Sequence, residues 1–226
     1  MGKVIITGST GMVGKGVLLE CLDHDSISEV LVINRTDLGM EHPKLKEILL
    51  KDFMDLGSVK DGLRGYDACF FCMGVSVVGL NEESYSRITF DITKKFADVL
   101  FGLNPNMVFN YVSGTGTDTS EKGRSMWARV KGKTENYILN LGFKDAYAFR
   151  PGLIIPERGI KSKTSWYNAF YVLTGPLFPL LKRSRNITTT TRIGLTMIHT
   201  LFHAQQRKHL ENRDINQIAK TLNSQI

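Results

Sequence analysis

Short apolar runs alternate with helical patterns through the first two thirds of this 226-residue chain. Val4-Ile5-Ile6 is the first run, a strand from Lys3 to Thr7. Val13, Val17, Leu18 and Cys21 then fall on one face of a helix that the pattern ends near Asp23 to Ser26. Glu29 to Asn34 predicts a second strand, apolar throughout (Val30, Leu31, Val32, Ile33) as a strand covered on both faces requires. The same reading predicts strands over Glu47 to Lys51, Asp67 to Met73, Asn106 to Val112 and Asp145 to Phe149. Between them it predicts a long helix over Glu82 to Leu103, with Tyr85, Ile88, Ile92, Phe96 and Val99 in register, and another over Ser125 to Leu141. That rhythm implies an α/β fold: a doubly wound parallel sheet wrapped on both faces by right-handed crossovers.

Past Arg150-Pro151-Gly152 the rhythm stops. Trp166, Tyr167, Phe170 and Tyr171 make one apolar helical face, and Gly175-Pro176 and Pro179 break the run. Helices are predicted over Thr190 to Ala204 and Asp214 to Asn223, the latter with Ile215, Ile218, Ala219 and Leu222 as its core-facing stripe. In a doubly wound domain such a tail usually lies over the carboxyl ends of the strands and walls a substrate pocket. The expected organisation is one domain over 1–226: a nucleotide-binding core over 1–152, then pocket and C-terminal helices over 153–226.

The first strand runs into Gly8-Ser9-Thr10-Gly11-Met12-Val13-Gly14, three glycines at three-residue spacing opening a helix. Such a turn delivers backbone N–H groups and the positive end of a helix to a diphosphate. One glycine makes the turn, one admits the phosphates, and one lets the helix pack on the strand. The second strand ends in Asn34-Arg35, where an acidic residue would bind the ribose hydroxyls of NAD. A neutral residue followed by a guanidinium suits a 2′-phosphate instead, so NADP(H) is expected over NAD(H); the plain alternative is that Arg35 is a solvated loop charge. Asp52-Phe53, after the third strand, is placed to edge an adenine, or Asp52 simply caps a turn.

The formal charge is +7, and Arg158, Lys161, Lys163, Lys182, Arg183, Arg185 and Arg192 lie in a span without an acidic residue. Solubility and a polyanionic cofactor account for this; an anionic substrate or a membrane surface is the sharper reading. No aromatic-interleaved basic repeat or zinc spacing points to nucleic acid. Cys21, Cys69 and Cys72 give no disulfide framework, so a reducing cytoplasm is the default expectation, and Cys69-x-x-Cys72 sits in a predicted strand, so its two thiols are expected to face opposite sides and serve as packing. With a strand from residue 3, no signal or transit peptide is expected, and no apolar run is long enough to span a bilayer. His199-x-x-x-His203 has ligand-compatible spacing but no third ligand, so no metal is expected.

Gly8, Gly11 and Gly14, with Asp52-Phe53, Cys72-Met73-Gly74, Ser113, Lys131 and Arg150-Pro151-Gly152, resemble the atypical short-chain dehydrogenase/reductase family. The likeness is to its NAD(P)H-binding subgroup of Tat-interacting-protein-like and nucleoside-diphosphate-sugar epimerase-like sequences, and it covers residues 1–155. The resemblance implies a Rossmann fold and a nicotinamide against the ends of the fourth and fifth strands, beside Cys72, Met73, Gly74, Pro151, Gly152 and Leu153. It also implies that Ser113 is the catalytic serine and that Lys131 holds the nicotinamide ribose and lowers the pKa of a tyrosine one turn earlier. That position holds Trp127. An indole N–H donates a hydrogen bond but forms no oxyanion. Tyr111 and Tyr85 are substitute donors or packing.

Three readings follow. One is an NADP(H)-dependent oxidoreductase or epimerase of a small carbonyl or sugar-like substrate, with Ser113 and Lys131 acting. Another is a non-catalytic dinucleotide-binding regulator or redox sensor acting through protein partners. The third is membrane-surface contact through Trp166–Leu181, against which stands a helix packed over the site. Homodimers are common in this fold, although no residue here specifies an interface.

Overall fold

The computed structural model describes residues 1–160, 181 and 184–223. The predicted aromatic helix face at 166–171, its Gly and Pro breakers, and the bulk of the 166–181 stretch lie outside the described residues.

Nine strands are described. β1 (Gly2–Thr7), β2 (Ile27–Asn34), β3 (Leu45–Leu49), β4 (Ala68–Phe71), β5 (Val108–Val112), β6 (Asp145–Arg150) and β9 (His209–Glu211) form one sheet in the order β3-β2-β1-β4-β5-β6-β9. Every pairing in it is parallel. A separate parallel pair joins β7 (Leu153–Ile155) to β8 (Ile187–Thr189). The chain winds one way from β1 to β3, then restarts at β4 on the other side of β1. The switch point is therefore the crevice between the carboxyl ends of β1 and β4, where such sheets bind ligands.

Apolar side chains on both faces of the central strands need cover from both sides, and the helices supply it. One core joins Val4, Ile6, Val30 and Val32 to Val17, Leu18 and Cys21 of α1 (Met12–Asp23), and to Ile193 and Met197 of α5 (Thr190–Phe202). The other joins Ile5, Leu31, Cys69 and Phe71 to Phe96 and Leu100 of α3 (Ile92–Leu103) and Ile138 of α4 (Met126–Asn140). Cys69 thus packs on one face and Cys72 against the other, as strand alternation predicts. Burial raises the pKa of all three thiols.

Several boundaries differ from the pattern-based expectation. β3 is shifted two residues earlier than Glu47 to Lys51, because it is a half-buried edge strand and Leu50 turns inward after it. The expected helix from Glu82 to Leu103 is α2 (Glu82–Ser86), a π-helical turn (Arg87–Asp91) and α3 in succession. β7, β8 and β9 are unanticipated three-residue strands. The described part of the tail folds back onto the sheet: α5 packs on α1, α6 (Asn212–Asn223) packs on α5, and β9 extends the sheet. Among the described residues, no helix is long and apolar enough to cross a membrane.

Candidate cofactor and reaction site

β1 delivers Gly8 at φ +70°, a conformation a side chain disfavours. A Cβ there would stand 2.8 Å from the backbone of Cys72 and Met73, so glycine lets the turn pass against the end of β4. Gly11 donates its N–H to Gly8 O at 2.9 Å and caps α1 without a side-chain hydrogen bond. Gly14 brings α1 so close that a Cβ would lie 2.2 Å from Gly8 O. The first turn of α1 carries no acidic residue, and its N–H groups face an anion-favouring end of the helix dipole.

A cavity of about 530 Å³ opens at this turn. Its described lining is Gly8, Thr10, Gly11, Ile33, Asn34, Arg35, Thr36, Phe53, Cys72, Met73 and Gly74. The structure thus gathers the glycine turn, the end of β2, Phe53 and the end of β4 around one space. Other expected members stand behind it. Ser9 is buried and donates to Asn34 Oδ1 at 2.8 Å; Val13 joins the core; Gly14 is buried and Met12 half-buried. Asn34 also donates from Nδ2 to Glu47 Oε1 at 2.8 Å, and Glu47 accepts from Leu38 N. Asn34 is thereby a clamp between turn, β2 and β3, and Glu47, which the sequence pattern does not single out, is occupied by it. Arg35 is exposed on the rim. Asp52 lies outside the lining, and its Oδ1 accepts from Met54 N at 2.9 Å, the turn cap. Phe53 is buried against Phe96, ring centroids 5.7 Å apart.

The second half of the site is built on β5. β5 pairs with β4 up to Phe71↔Tyr111, and Ser113 follows directly on the end of β5 at Val112. Ser113 is buried, its N–H donates to Phe149 O at 2.7 Å, and its hydroxyl lies 2.7 Å from Thr117 Oγ1. Thr117 donates in turn to Gly114 O at 2.7 Å. Lys131, on the inner face of α4, donates from Nζ to Ser113 O at 2.7 Å. Burial brings its pKa down to about 8, against an opposing pull from Glu135. Trp127 is half-buried, one turn before Lys131, with its six-membered ring against Gly116, whose φ is +87°. Tyr111 and Tyr85 are both buried and their phenols are raised by burial, so both are packing. Pro151 O accepts from Thr115 N at 3.1 Å, Gly152 N donates to Asn212 Oδ1 at 3.1 Å, and Leu153 O accepts from Asn212 Nδ2 at 3.3 Å. None of Ser113, Lys131, Trp127, Pro151, Gly152 and Leu153 lines the glycine-turn cavity. His199 and His203 stack, ring centroids 4.5 Å apart.

Sheet order, switch point and glycine turn define the class: a doubly wound α/β protein of the Rossmann fold. Within it, the chain resembles the atypical short-chain dehydrogenase/reductase family. No family model matches the chain. Its similarity to Protein HTATIP2 of Rattus norvegicus is 28% identity over 166 residues, covering 73% of this chain and 67% of that protein. Protein FMP52, mitochondrial, of Meyerozyma guilliermondii is 26% identical over 161 residues, 69% of this chain and 66% of the relative. The chain therefore spans about two thirds of the length of these relatives. Among solved structures, the Bordetella bronchiseptica enzyme WbmH in complex with NAD+ superposes with a TM-score of 0.68 at 15% identity, over 93% of this chain and 75% of that one. A UDP-N-acetylglucosamine 4-epimerase from Methanobrevibacter ruminantium gives 0.68 at 16%, over 100% and 83%. These likenesses are of fold.

Proposed function

We propose that this chain binds NADP(H) in preference to NAD(H) and acts as an oxidoreductase or epimerase-like protein on a small carbonyl or sugar-like substrate. The observation that carries the reading is the cavity at the glycine turn, with the Arg35 guanidinium on its rim and no carboxylate among its described lining residues. The N–H groups of Met12, Val13 and Gly14 would hold the diphosphate, Arg35 the 2′-phosphate, and Phe53 the adenine edge. The dinucleotide, when bound, supplies the hydride. Ser113 offers a hydroxyl at the end of β5, shared with Thr117, and Lys131 offers a cation fixed beside it. Titration with NADPH and NADH tests this directly: NADPH at least tenfold tighter is expected, with the gap lost in Arg35→Ala. Equal or reversed affinities refute the assignment of Arg35.

A second reading has its own observation. Trp127 stands one helical turn before Lys131, where the family keeps its proton donor, and an indole cannot release a proton at biological pH. On that ground the dinucleotide serves as a structural or redox signal read by a protein partner. Partner capture that is identical for apo, NADP+ and NADPH forms counts against it. A cytoplasmic location is proposed from the three unpaired cysteines; the fungal relatives carry "mitochondrial" in their names, and cell fractionation decides between the two.

A further inference from the structure

The hydroxyl of Ser113, just past β5, has a partner on one side only. Its Oγ lies 2.7 Å from Thr117 Oγ1 and makes no other hydrogen bond among the described residues. Thr117 stands four residues on, in the loop that leads to α4, and is buried as Ser113 is. The Thr117 hydroxyl has a second contact, 2.7 Å to Gly114 O, and the Thr117 N–H reaches the same carbonyl at 3.2 Å. Each hydroxyl carries one proton, and a carbonyl oxygen only accepts. The two short oxygen–oxygen contacts therefore need one proton each, because oxygens this close with none between them repel. A single arrangement supplies both: Thr117 donates to Gly114 O, and Ser113 donates to Thr117. The Ser113 proton is thereby used inside the loop, and its lone pairs have no donor among the described residues. On the backbone side of the same residue, Lys131 Nζ donates to Ser113 O at 2.7 Å, through one of the three N–H groups of an ammonium. Its other N–H groups have no partner among the described residues. The end of β5 thus carries N–H donors beside a hydroxyl that can only accept, both anchored on Ser113.

We infer that Thr117 is a positioning residue: it fixes the direction of the Ser113 hydroxyl, so that the end of β5 selects a ligand hydroxyl over a carbonyl. A hydroxyl satisfies both halves at once, accepting from Lys131 and donating to Ser113. A carbonyl oxygen accepts from Lys131 but meets Ser113 Oγ lone pair to lone pair. Turning the serine proton toward it would leave the Thr117 oxygen without its donor. A serine–threonine contact by itself has no set direction; here Gly114 O imposes one. The chemistry selected is a hydroxyl, which a sugar-like substrate and the nicotinamide ribose of a dinucleotide both carry. The presence of such a ligand rests on the reading above, whereas the direction of the hydroxyl chain belongs to the protein alone.

The direction is read from hydroxyl-proton exchange in the ligand-free protein, followed by the deuterium isotope shift on the Cβ resonances of Ser113 and Thr117 in mixed light and heavy water. Both protons are expected to exchange slowly in the wild type. In Ser113→Ala the Thr117 proton stays slow, since Gly114 O holds it. In Thr117→Val the Ser113 proton turns fast, and in Thr117→Ser it is slow again. A fast Ser113 proton in the wild type, which requires no variant to fold, or a fast Thr117 proton in Ser113→Ala overturns the inference. Selection is read by comparing the wild type with Thr117→Val in two binding experiments. The first sets NADPH against adenosine 2′,5′-bisphosphate, which lacks the nicotinamide ribose. The second sets cyclohexanol on NADPH-loaded protein against cyclohexanone on NADP+-loaded protein, pairings that cannot turn over. A loss of about three- to tenfold, the worth of one hydrogen bond, is expected in one of them. Confined to NADPH, it assigns the hydroxyl to the nicotinamide ribose; seen for cyclohexanol and not cyclohexanone, it assigns it to the substrate. No loss in either overturns the selection. Wild-type protein that binds no NADPH refutes the cofactor reading and leaves the exchange result to decide the direction.

Discussion

Alanine substitution along the glycine turn separates its three residues by cause. At Gly14 a Cβ would sit 2.2 Å from Gly8 O, 2.6 Å from Gly8 C and 3.0 Å from Ser9 Cα. All are backbone atoms of the turn itself, and α1 is pinned from behind by buried Val17 and Leu18. Relief requires α1 to retreat by about an ångström, an overpacking strain of about 1–3 kcal/mol. At Gly8 a Cβ meets Cys72 and Met73 backbone at 2.8 Å, and φ of +70° adds about 1–2 kcal/mol for any L side chain. Gly11 has one contact, 3.3 Å to Gly8 O, and an extended φ of −86° that any residue adopts. Its replacement loses about 1 kcal/mol or less, as for alanine at a helix N-cap. The expected order in urea denaturation of the ligand-free protein is Gly8→Ala and Gly14→Ala at about 2–4 kcal/mol, with Gly11→Ala well below them. In NADPH titration the first two lose at least tenfold. A Gly14→Ala protein with wild-type stability and wild-type NADPH affinity would refute both the packing of α1 on the turn and the turn's role as phosphate cradle.

Three further outcomes follow from single contacts. Gly132→Ala places a Cβ 1.8 Å from Asp118 O and 2.5 Å from its carbonyl carbon, so it loses more than about 3 kcal/mol in the same urea assay or does not fold. Asp52→Asn keeps an acceptor for Met54 N and leaves NADPH affinity unchanged within about twofold; a large loss would restore Asp52 to the adenine edge. Lys131→Met changes the pH profile of stability: the folded pKa of about 8 lies below the ordinary 10.5, so the unfolded chain binds more protons between those values and wild-type stability rises with pH there. The variant flattens that rise, which is on the order of 3 kcal/mol and is measured as the difference between urea midpoints at pH 7 and 10.5.

The central sheet is legible in the sequence because Val4-Ile5-Ile6 and Val30-Leu31-Val32-Ile33 are apolar at every position, which only a strand covered on both faces tolerates. β9 is not, because Leu210 is its single buried apolar residue and three residues carry no periodicity; it exists through pairing with Ala148, Phe149 and Arg150. Edge strand β3 misleads for the opposite reason, since Leu50 extends the apolar run past the point where the backbone leaves the sheet. Local motifs carried the candidate site as far as spacing reaches: the glycine turn, and Ser113 with Lys131. Asn34 shows the limit. Its neutral side chain is visible in the sequence, but its engagement by Ser9 and Glu47 is tertiary. The pairing of Glu135 with Arg150, and Thr117 beside Ser113, are likewise contacts between segments that no local pattern marks.

Trp127 is where fold and chemistry part, and restoring a tyrosine there decides between the two functional readings. The indole lies against Gly116, where a Cβ would stand 3.4 Å from its ring edge, so a smaller phenol vacates contact worth about 1 kcal/mol or somewhat more. Nothing else in the site need move, because Trp127 and Lys131 already sit one helical turn apart on α4. A Trp127→Tyr phenol would stand near the Lys131 ammonium, whose charge favours the phenolate and makes the hydroxyl a better acid. General acid help of this kind is worth about 10²–10⁴ in rate. The expected outcome is unchanged NADPH affinity with carbonyl-dependent NADPH oxidation raised by that order across a panel of aldehydes and ketones. A folded variant that binds NADPH and oxidises it no faster on any of them would show that the missing acid is not what limits this site. The dinucleotide would then be better understood as a signal than as a reductant.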